Sequence, residues 1–357
     1  MAQKRVLVAM SGGVDSSVTA ALLLERGYHV EGITMRLWKS SAPKGGDAAV
    51  LSARAVCRIL GIPHHVLDLQ ETFRQRIVDF FVREYSQGRT PNPCVRCNRL
   101  IKFGLLLDYA LERHYDYLAT GHYVRKERRE DGYHLLCGVD PRKDQSYFLY
   151  MLSQKQLHHL LFPLGEWHKD QVRAFARQRG LPVAERAESQ DICFLPKGDY
   201  RRFIQEYAPS TVTPGPIYDT AGKLLGQHKG LPFYTIGQRE GLGISAPRPL
   251  YVLQIDPAHN ALIVGFAEEL GHNALLAEEM SYIAGTPLPE GTEVEAKIRY
   301  RARRAKAYVW PSEKGRAKAI FAHPLRDITP GQSIVLYQGE EVLGGGIIVQ
   351  ALTVKEC

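Results

Sequence analysis

At 357 residues the chain is too long for one ordinary domain, and its 45% hydrophobic content supports sizeable cores with no low-complexity tract. Its apolar runs are short and broken by charge, which excludes a membrane-spanning helix, and a strand pattern starts almost at the first residue with no room for a signal peptide, so a cytoplasmic protein is expected. The formal net charge of +8 is modest for this length but compatible with a polyanionic partner.

Strand and helix signals alternate from the N-terminus. Val6–Met10, His29–Met35, His64–Asp68 and Tyr117-Leu118-Ala119 read as strands, and 16–26, 47–60, 71–85 and 99–113 as helices, with a further amphipathic helix from Trp167 to Arg179. This βαβα rhythm predicts an α/β domain with a parallel sheet. From about Thr211 helical periodicity disappears. Leu250–Ile255, Ala261–Val264, Glu293–Tyr300, Ala305–Trp310, Ala317–Phe321, Ser333–Tyr337 and Gly346–Val349 read as short strands, and two β-rich modules divided near Ala277 fit them best. The expected domains are therefore 1–205, 206–276 and 277–357.

Between the first strand and the first helix lies Met-Ser-Gly-Gly-Val-Asp-Ser-Ser, residues 10–17. Strand, glycine turn and helix aim backbone N–H groups and a helix N-terminus at a phosphate. Ser11, Ser16 and Ser17 add hydroxyl donors, and Asp15 is a candidate for the magnesium that accompanies a nucleotide. No Gly-Lys-Ser/Thr follows, so this is not a Walker A loop. A plain glycine turn is the competing reading. Two basic runs stand out: Arg299-Tyr300-Arg301-Ala302-Arg303-Arg304 suits phosphates and splayed bases, whereas Arg125-Lys126-Glu127-Arg128-Arg129 fits a solvated hairpin tip equally well.

Six cysteines are scattered in a way that does not suggest a secreted disulfide framework. Cys57 and Cys137 sit among apolar residues and read as core fillers, and Cys357 is terminal. Cys94 and Cys97 precede a helix, where the helix dipole with Arg96 or Arg99 would favour thiolates; Cys193 lies in a short segment between helices. Structural zinc lacks a fourth ligand. Sulfur-transfer chemistry between distant cysteines and a three-cysteine iron–sulfur cluster on Cys94, Cys97 and Cys193 both remain open.

The octapeptide resembles the Ser-Gly-Gly-x-Asp-Ser loop of the PP-loop ATP pyrophosphatases, which cut ATP between its α and β phosphates and adenylate an oxygen. That loop, Thr90-Pro91-Asn92-Pro93-Cys94-x-x-Cys97-Asn98-x-x-Ile101-Lys102-Phe103, Ala119-Thr120-Gly121-His122-Tyr123, Lys143-Asp144-Gln145-Ser146-Tyr147, Ile192-Cys193-Phe194 and Gly344-Gly345-Gly346 occur in order. Together they resemble the tRNA-specific 2-thiouridylase family over nearly the whole chain. The resemblance implies an adenine-nucleotide α-hydrolase-like PP-loop domain, a small β-rich central domain and a C-terminal β-barrel. It implies 2-thiolation of the wobble uridine of tRNA for Lys, Glu or Gln, with ATP and Mg2+. A persulfide on Cys193, loaded by a cysteine desulfurase or relay protein, would supply sulfur, and Cys97 would resolve it, leaving a Cys97–Cys193 disulfide.

By the same resemblance Ala9, Met10, Ser11, Gly12, Gly13, Val14, Asp15 and Ser16 would cradle ATP, with Met35 and Gly121 beside it. Asn92, Pro93, Cys94, His122, Lys143, Asp144, Gln145, Arg299, Tyr300 and Gln332 would contact tRNA. Ordinary roles compete: Met35 as core, Lys143 and Gln145 as solvated loop, Tyr300 as barrel packing. Cys94 and Asp191 depart from the Asp and Gly of many members, which keeps a 4Fe–4S cluster among the alternatives. Another PP-loop ATP-dependent ligase and a nucleic-acid-binding module without catalysis are the remaining rivals.

Overall fold

The computed structural model describes residues 3–38, 45–186, 192–195 and 199–354; Asp191 and Cys357 lie outside them. Val6, Leu7 and Val8 are wholly buried at the centre of a five-stranded sheet. Its strands are β1 (Arg5–Ala9), β2 (His29–Arg36), β3 (His64–Asp68), β4 (Tyr117–Ala119) and, after a hairpin of β5 (Val124–Arg129) and β6 (Gly132–Cys137), the short β7 (Leu160–Leu161). The order is β3-β2-β1-β4-β7, and every pairing is parallel. Helices α1 (Val14–Glu25) and α2 (Gly45–Leu60) provide the first crossovers. Cys57 of α2 fills the core as expected: a Cβ on Gly32 of β2 would come within 2.8 Å of its sulfur.

A four-stranded sheet follows, from β8 (Gly215–Asp219), β9 (Leu224–His228), β10 (Tyr251–Asp256) and β11 (Ala261–Gly265), in the order β10-β11-β8-β9. The last six strands are β12 (His272–Tyr282), β13 (Thr292–Lys297), β14 (Ala305–Ser312), β15 (Arg316–Leu325), β16 (Ser333–Gln338) and β17 (Glu341–Leu352). They run β12-β15-β14-β13-β16-β17, and β17 pairs back onto β12, which closes an antiparallel barrel without free edges. Because β12 begins at His272, the break between the β-rich modules falls in 266–271 rather than near Ala277.

Two expectations change. The basic run Arg125–Arg129 is strand β5 itself, not a hairpin tip, and β6 continues the barrel sheet by pairing with β17 at Leu135 and Leu136. Arg129 there pairs with Glu341 at 2.8 Å, and Arg125 with Glu340 at 2.6 Å. Strand β13 ends at Lys297 instead of Tyr300, so Arg299 and Tyr300 leave the barrel wall and reach the other domains. No helix among the described residues is long and apolar enough to cross a membrane.

Candidate active site

The phosphate loop lies where β1 ends and α1 begins. The sheet order reverses between β1 and β4, so the loops following these strands border one crevice. Gly12 has φ +73°, and a Cβ there would come within 2.6 Å of the Ala49 carbonyl oxygen; only glycine fits. Gly13 caps α1 with no side-chain hydrogen bond, so the first-turn amides have no capping acceptor and suit an anionic phosphate. The loop is braced from behind. Thr34 Oγ1 donates to the Met10 carbonyl at 2.8 Å, and Arg186 Nη1 and Ser52 Oγ donate to that of Gly12 at 2.7 and 3.0 Å. Ser16 and Ser17 both donate their hydroxyl protons to the Gly13 carbonyl, and the exposed Ser11 hydroxyl lies 3.3 Å from Ser16 Oγ, so all three expected hydroxyl donors are engaged within the loop.

Asp15 differs from expectation. Lys169 Nζ lies 2.6 and 2.8 Å from its two carboxylate oxygens, and the Tyr123 hydroxyl donates to Oδ1 at 2.7 Å. Lys169 is only 6% exposed, and its backbone N–H is fixed by the wholly buried Asp140 at 3.1 Å. With both oxygens engaged by a cation, Asp15 does not fit the role of magnesium ligand, and no other acid of the described residues completes a metal site. Gly121, just past β4, packs against the loop: a Cβ there would meet the backbone of Asp15 at 3.0 Å.

Asn92 caps the helix Pro93–Cys97, its Oδ1 accepting the N–H groups of Cys94 and Val95 at 3.2 Å, with Pro93 at the first helical position. The chain continues into a wide, π-wound stretch, Asn98–Leu105. Asn98 is buried there; its Nδ2 donates to the Phe148 carbonyl at 3.1 Å, while its Oδ1 has no partner among the described residues. Cys97 is buried in an aromatic cluster that also takes up Phe194. The Phe194 ring meets Phe81 and Phe203 edge-on at 5.2 Å and Phe73 at 5.9 Å, which anchors the neighbouring Cys193 beside the Cys97 cluster. Met35, half-buried at the end of β2, packs against this cluster and against the core under β1. The core reading of Met35 and a place beside an adenine are both compatible with that position.

The thiols are not pre-ionised. Burial pushes Cys97 up to about 11 and raises Cys94 as well. Burial of the Cys193 sulfur, and then the Cys97 and Cys94 sulfurs, push it up to about 12. The cation that opposes these rises is Lys102, not Arg96 or Arg99. Arg96 lies 3.7 Å from the centre of the Phe80 ring, and Arg99 pairs with Glu279 at 2.5 Å. The five described cysteines are all free thiols, and among the described residues no group of three or more His, Cys, Asp or Glu side chains is placed to hold a metal ion.

Most positions expected to face tRNA are committed within the protein. His122 is buried between Phe103 and Phe162, bonded through Nδ1 to Thr120 Oγ1 at 2.8 Å, and burial holds it well below its ordinary value, hence neutral. Asp144 accepts the N–H groups of Gly138 and Ser146 at 3.0 and 3.1 Å, and Gln145 Oε1 accepts that of Tyr123 at 3.0 Å. The Lys143 backbone donates to Asp140 at 3.0 Å, and its side chain is half-buried. The Tyr300 hydroxyl donates to the Asp144 carbonyl at 3.2 Å. Arg299 and Gln332 bind Ile236 and Thr90 carbonyls at 3.2 and 2.8 Å. In the basic run, Arg301 and Arg303 remain exposed.

Three family models cover the chain: a tRNA methyl transferase HUP domain matches residues 4–197, a tRNA methyl transferase PRC-barrel domain 201–266, and an aminomethyltransferase beta-barrel domain 272–348. A tRNA-specific 2-thiouridylase of Caldanaerobacter subterraneus is 51% identical over 96% of this chain and 97% of its own length. The chain belongs to the tRNA-specific 2-thiouridylase family. A second 2-thiouridylase, from Moorella thermoacetica, is 50% identical over 96% of this chain and 98% of its own. A solved U34-tRNA thiolase of Methanococcus maripaludis with its 4Fe–4S cluster is 20% identical, at TM-score 0.35 over 59% of this chain and 69% of that chain, too slight a likeness to bear on the chemistry here. Within a 2-thiouridylase frame, the residues that motif reading passes over are Lys169 and Arg186; it takes in Tyr123 within a motif but gives it no role at the site. Nothing in the spacing of Lys169 announces Asp15, because the two lie far apart in the chain and only the packing of the helix Lys169–Gln178 against α1 brings them together.

Proposed function

We propose that this chain replaces O2 of the tRNA wobble uridine with sulfur, with Cys193 carrying the sulfur and Cys97 resolving it. The observation that carries the reading is the convergence of Cys97 and the Cys193–Phe194 segment on one cluster that also touches Met35, beside the phosphate loop. O2 of uridine is a poor leaving group until it carries AMP. It attacks the α-phosphorus of ATP held at the first turn of α1, and pyrophosphate leaves. The terminal sulfur of a Cys193 persulfide then attacks C2 of the uridine. AMP departs with the original oxygen, Cys97 attacks the Cys193 sulfur, and the persulfide bond breaks with its electron pair going to the sulfur now on C2. A Cys97–Cys193 disulfide results, which an external thiol reduces.

Both thiols stand above neutral pH, so Lys102 is the group that favours their anionic forms during transfer. A cysteine desulfurase or relay protein is the proposed sulfur source, and its access is consistent with the exposure of Cys193. The wobble base leaves its stack to reach the crevice, as base-modifying enzymes require. Arg301 and Arg303 are proposed phosphate contacts. An amide-forming PP-loop ligase would have no use for the cysteine pair. Replacing Cys193 by Ser distinguishes them: thiolation is lost here, whereas a ligase would keep its activity.

A further inference from the structure

The barrel and the central domain converge on one residue of the first domain. The Thr90 N–H donates to the Pro330 carbonyl at 2.8 Å, and the Thr90 carbonyl accepts from Gln332 Nε2 at 2.8 Å. Between these two contacts Gly331 has φ +92°, and a Cβ on it would lie 2.9 Å from the Thr90 backbone. The loop thus grips the Thr90 peptide on both sides at a separation that excludes any side chain. Thr90 Oγ1 also donates to Thr235 Oγ1 of the central domain at 3.2 Å. Arg299 locks the junction, donating to Ile236 O at 3.2 Å and to Thr329 Oγ1, with Asp327 at 3.8 Å.

The residues after Thr90 make this grip matter for the cysteines. Pro91 and Pro93 restrict the backbone on either side of Asn92, and Asn92 caps the helix that bears Cys94 and Cys97. A displacement of Thr90 is therefore passed along a stiff three-residue link to the cysteine helix. We propose that the barrel loop 329–332 is a clamp on Thr90, and that Gln332 is a positioning residue that holds Cys97 in place for sulfur transfer. The barrel, which also carries Arg301 and Arg303, is coupled in this way to Cys97. The step it serves rests on the proposed thiolation; the clamp itself does not.

The test uses the full-length chain with Gln332→Glu, which keeps the size of the side chain but replaces its donor with an acceptor facing a carbonyl. Gln332→Ala, which removes the donor without adding charge, carries the same test where the first variant misfolds. Alkylation of Cys97 by iodoacetamide, read by peptide mass spectrometry, should speed up about fivefold or more, with faster amide exchange at Thr90 and no change at buried Cys57. Turnover should fall about tenfold with KM for tRNA within about twofold. Unchanged Cys97 labelling and Thr90 exchange would overturn the clamp, as would a rise in KM for tRNA alone, which would make Gln332 an RNA contact only. Labelling and exchange need no thiolation, so absence of thiolation in the unaltered protein would count against the functional reading and leave the clamp to be judged on its own.

Discussion

Lys169 holds Asp15 in a two-pronged ion pair, its Nζ at 2.6 and 2.8 Å from the carboxylate oxygens, at the first turn of the helix proposed to receive ATP phosphates. The ammonium neutralises an acid that would otherwise repel a polyphosphate. Lys169→Met leaves that carboxylate with the Tyr123 hydroxyl as its remaining side-chain partner among the described residues. We expect pyrophosphate release from ATP to slow at least about tenfold, with Lys169→Arg intermediate, as read by a coupled pyrophosphate assay.

The Cys97 thiol, pushed up to about 11, is protonated at neutral pH in the free protein. Its alkylation rate should therefore rise close to tenfold per pH unit from about pH 7 to 10, following the thiolate fraction. Lys102→Met removes the opposing cation and should lower the rate at any pH in that range. A rate already level at pH 8 would show an ionised thiol and contradict this.

Arg301 and Arg303 should act on tRNA through charge alone. Replacing either with Ala is predicted to weaken binding and to reduce the slope of log K against log salt by about 0.7, the value for one single-strand phosphate contact. Filter binding over a salt series measures it. An unchanged slope would remove that arginine from the interface.

Glu31 supplies a pH-dependent part of stability. Burial alone would raise its carboxyl, but hydrogen bonds from His65, Tyr115 and Arg5 outweigh burial and hold it at about 2. The folded value is depressed, so this stabilisation is complete above the ordinary value near 4.5 and is lost as pH falls from there toward 2. It amounts to about 3 kcal/mol at most. Denaturant unfolding between pH 5 and 3 should show that loss, and Glu31→Gln should flatten it.

The β1–loop–α1 unit is legible in the sequence because its determinants are local: an apolar strand, glycines that must turn, and amides that need an anion. Cys57 and Cys137 are legible as core from their apolar neighbours. Strand β12 is not. Its Ala, Leu and Glu residues favour helix, and only pairing with β15 and β17 makes it a strand. The end of β13 is hidden because Ile298 continues the apolar alternation past the point where the chain turns. Asp15–Lys169, β6–β17 and Gln332–Thr90 are contacts between remote segments, and no periodicity encodes them. The ionisation of the cysteines is misread for a related reason. Helix position and nearby arginines suggest thiolates, but the aromatic cluster that buries Cys97 is assembled from distant helices.

One measurement bears most directly on the central claim. Reduced protein is incubated with ATP, magnesium, unmodified tRNA for Glu and a desulfurase with cysteine, and the digested tRNA is analysed by mass spectrometry, with Cys193→Ser alongside. The account predicts 2-thiouridine at the wobble position, with AMP and pyrophosphate, from the unaltered protein and none from the variant. Equal thiolation by Cys193→Ser would contradict the persulfide role of Cys193.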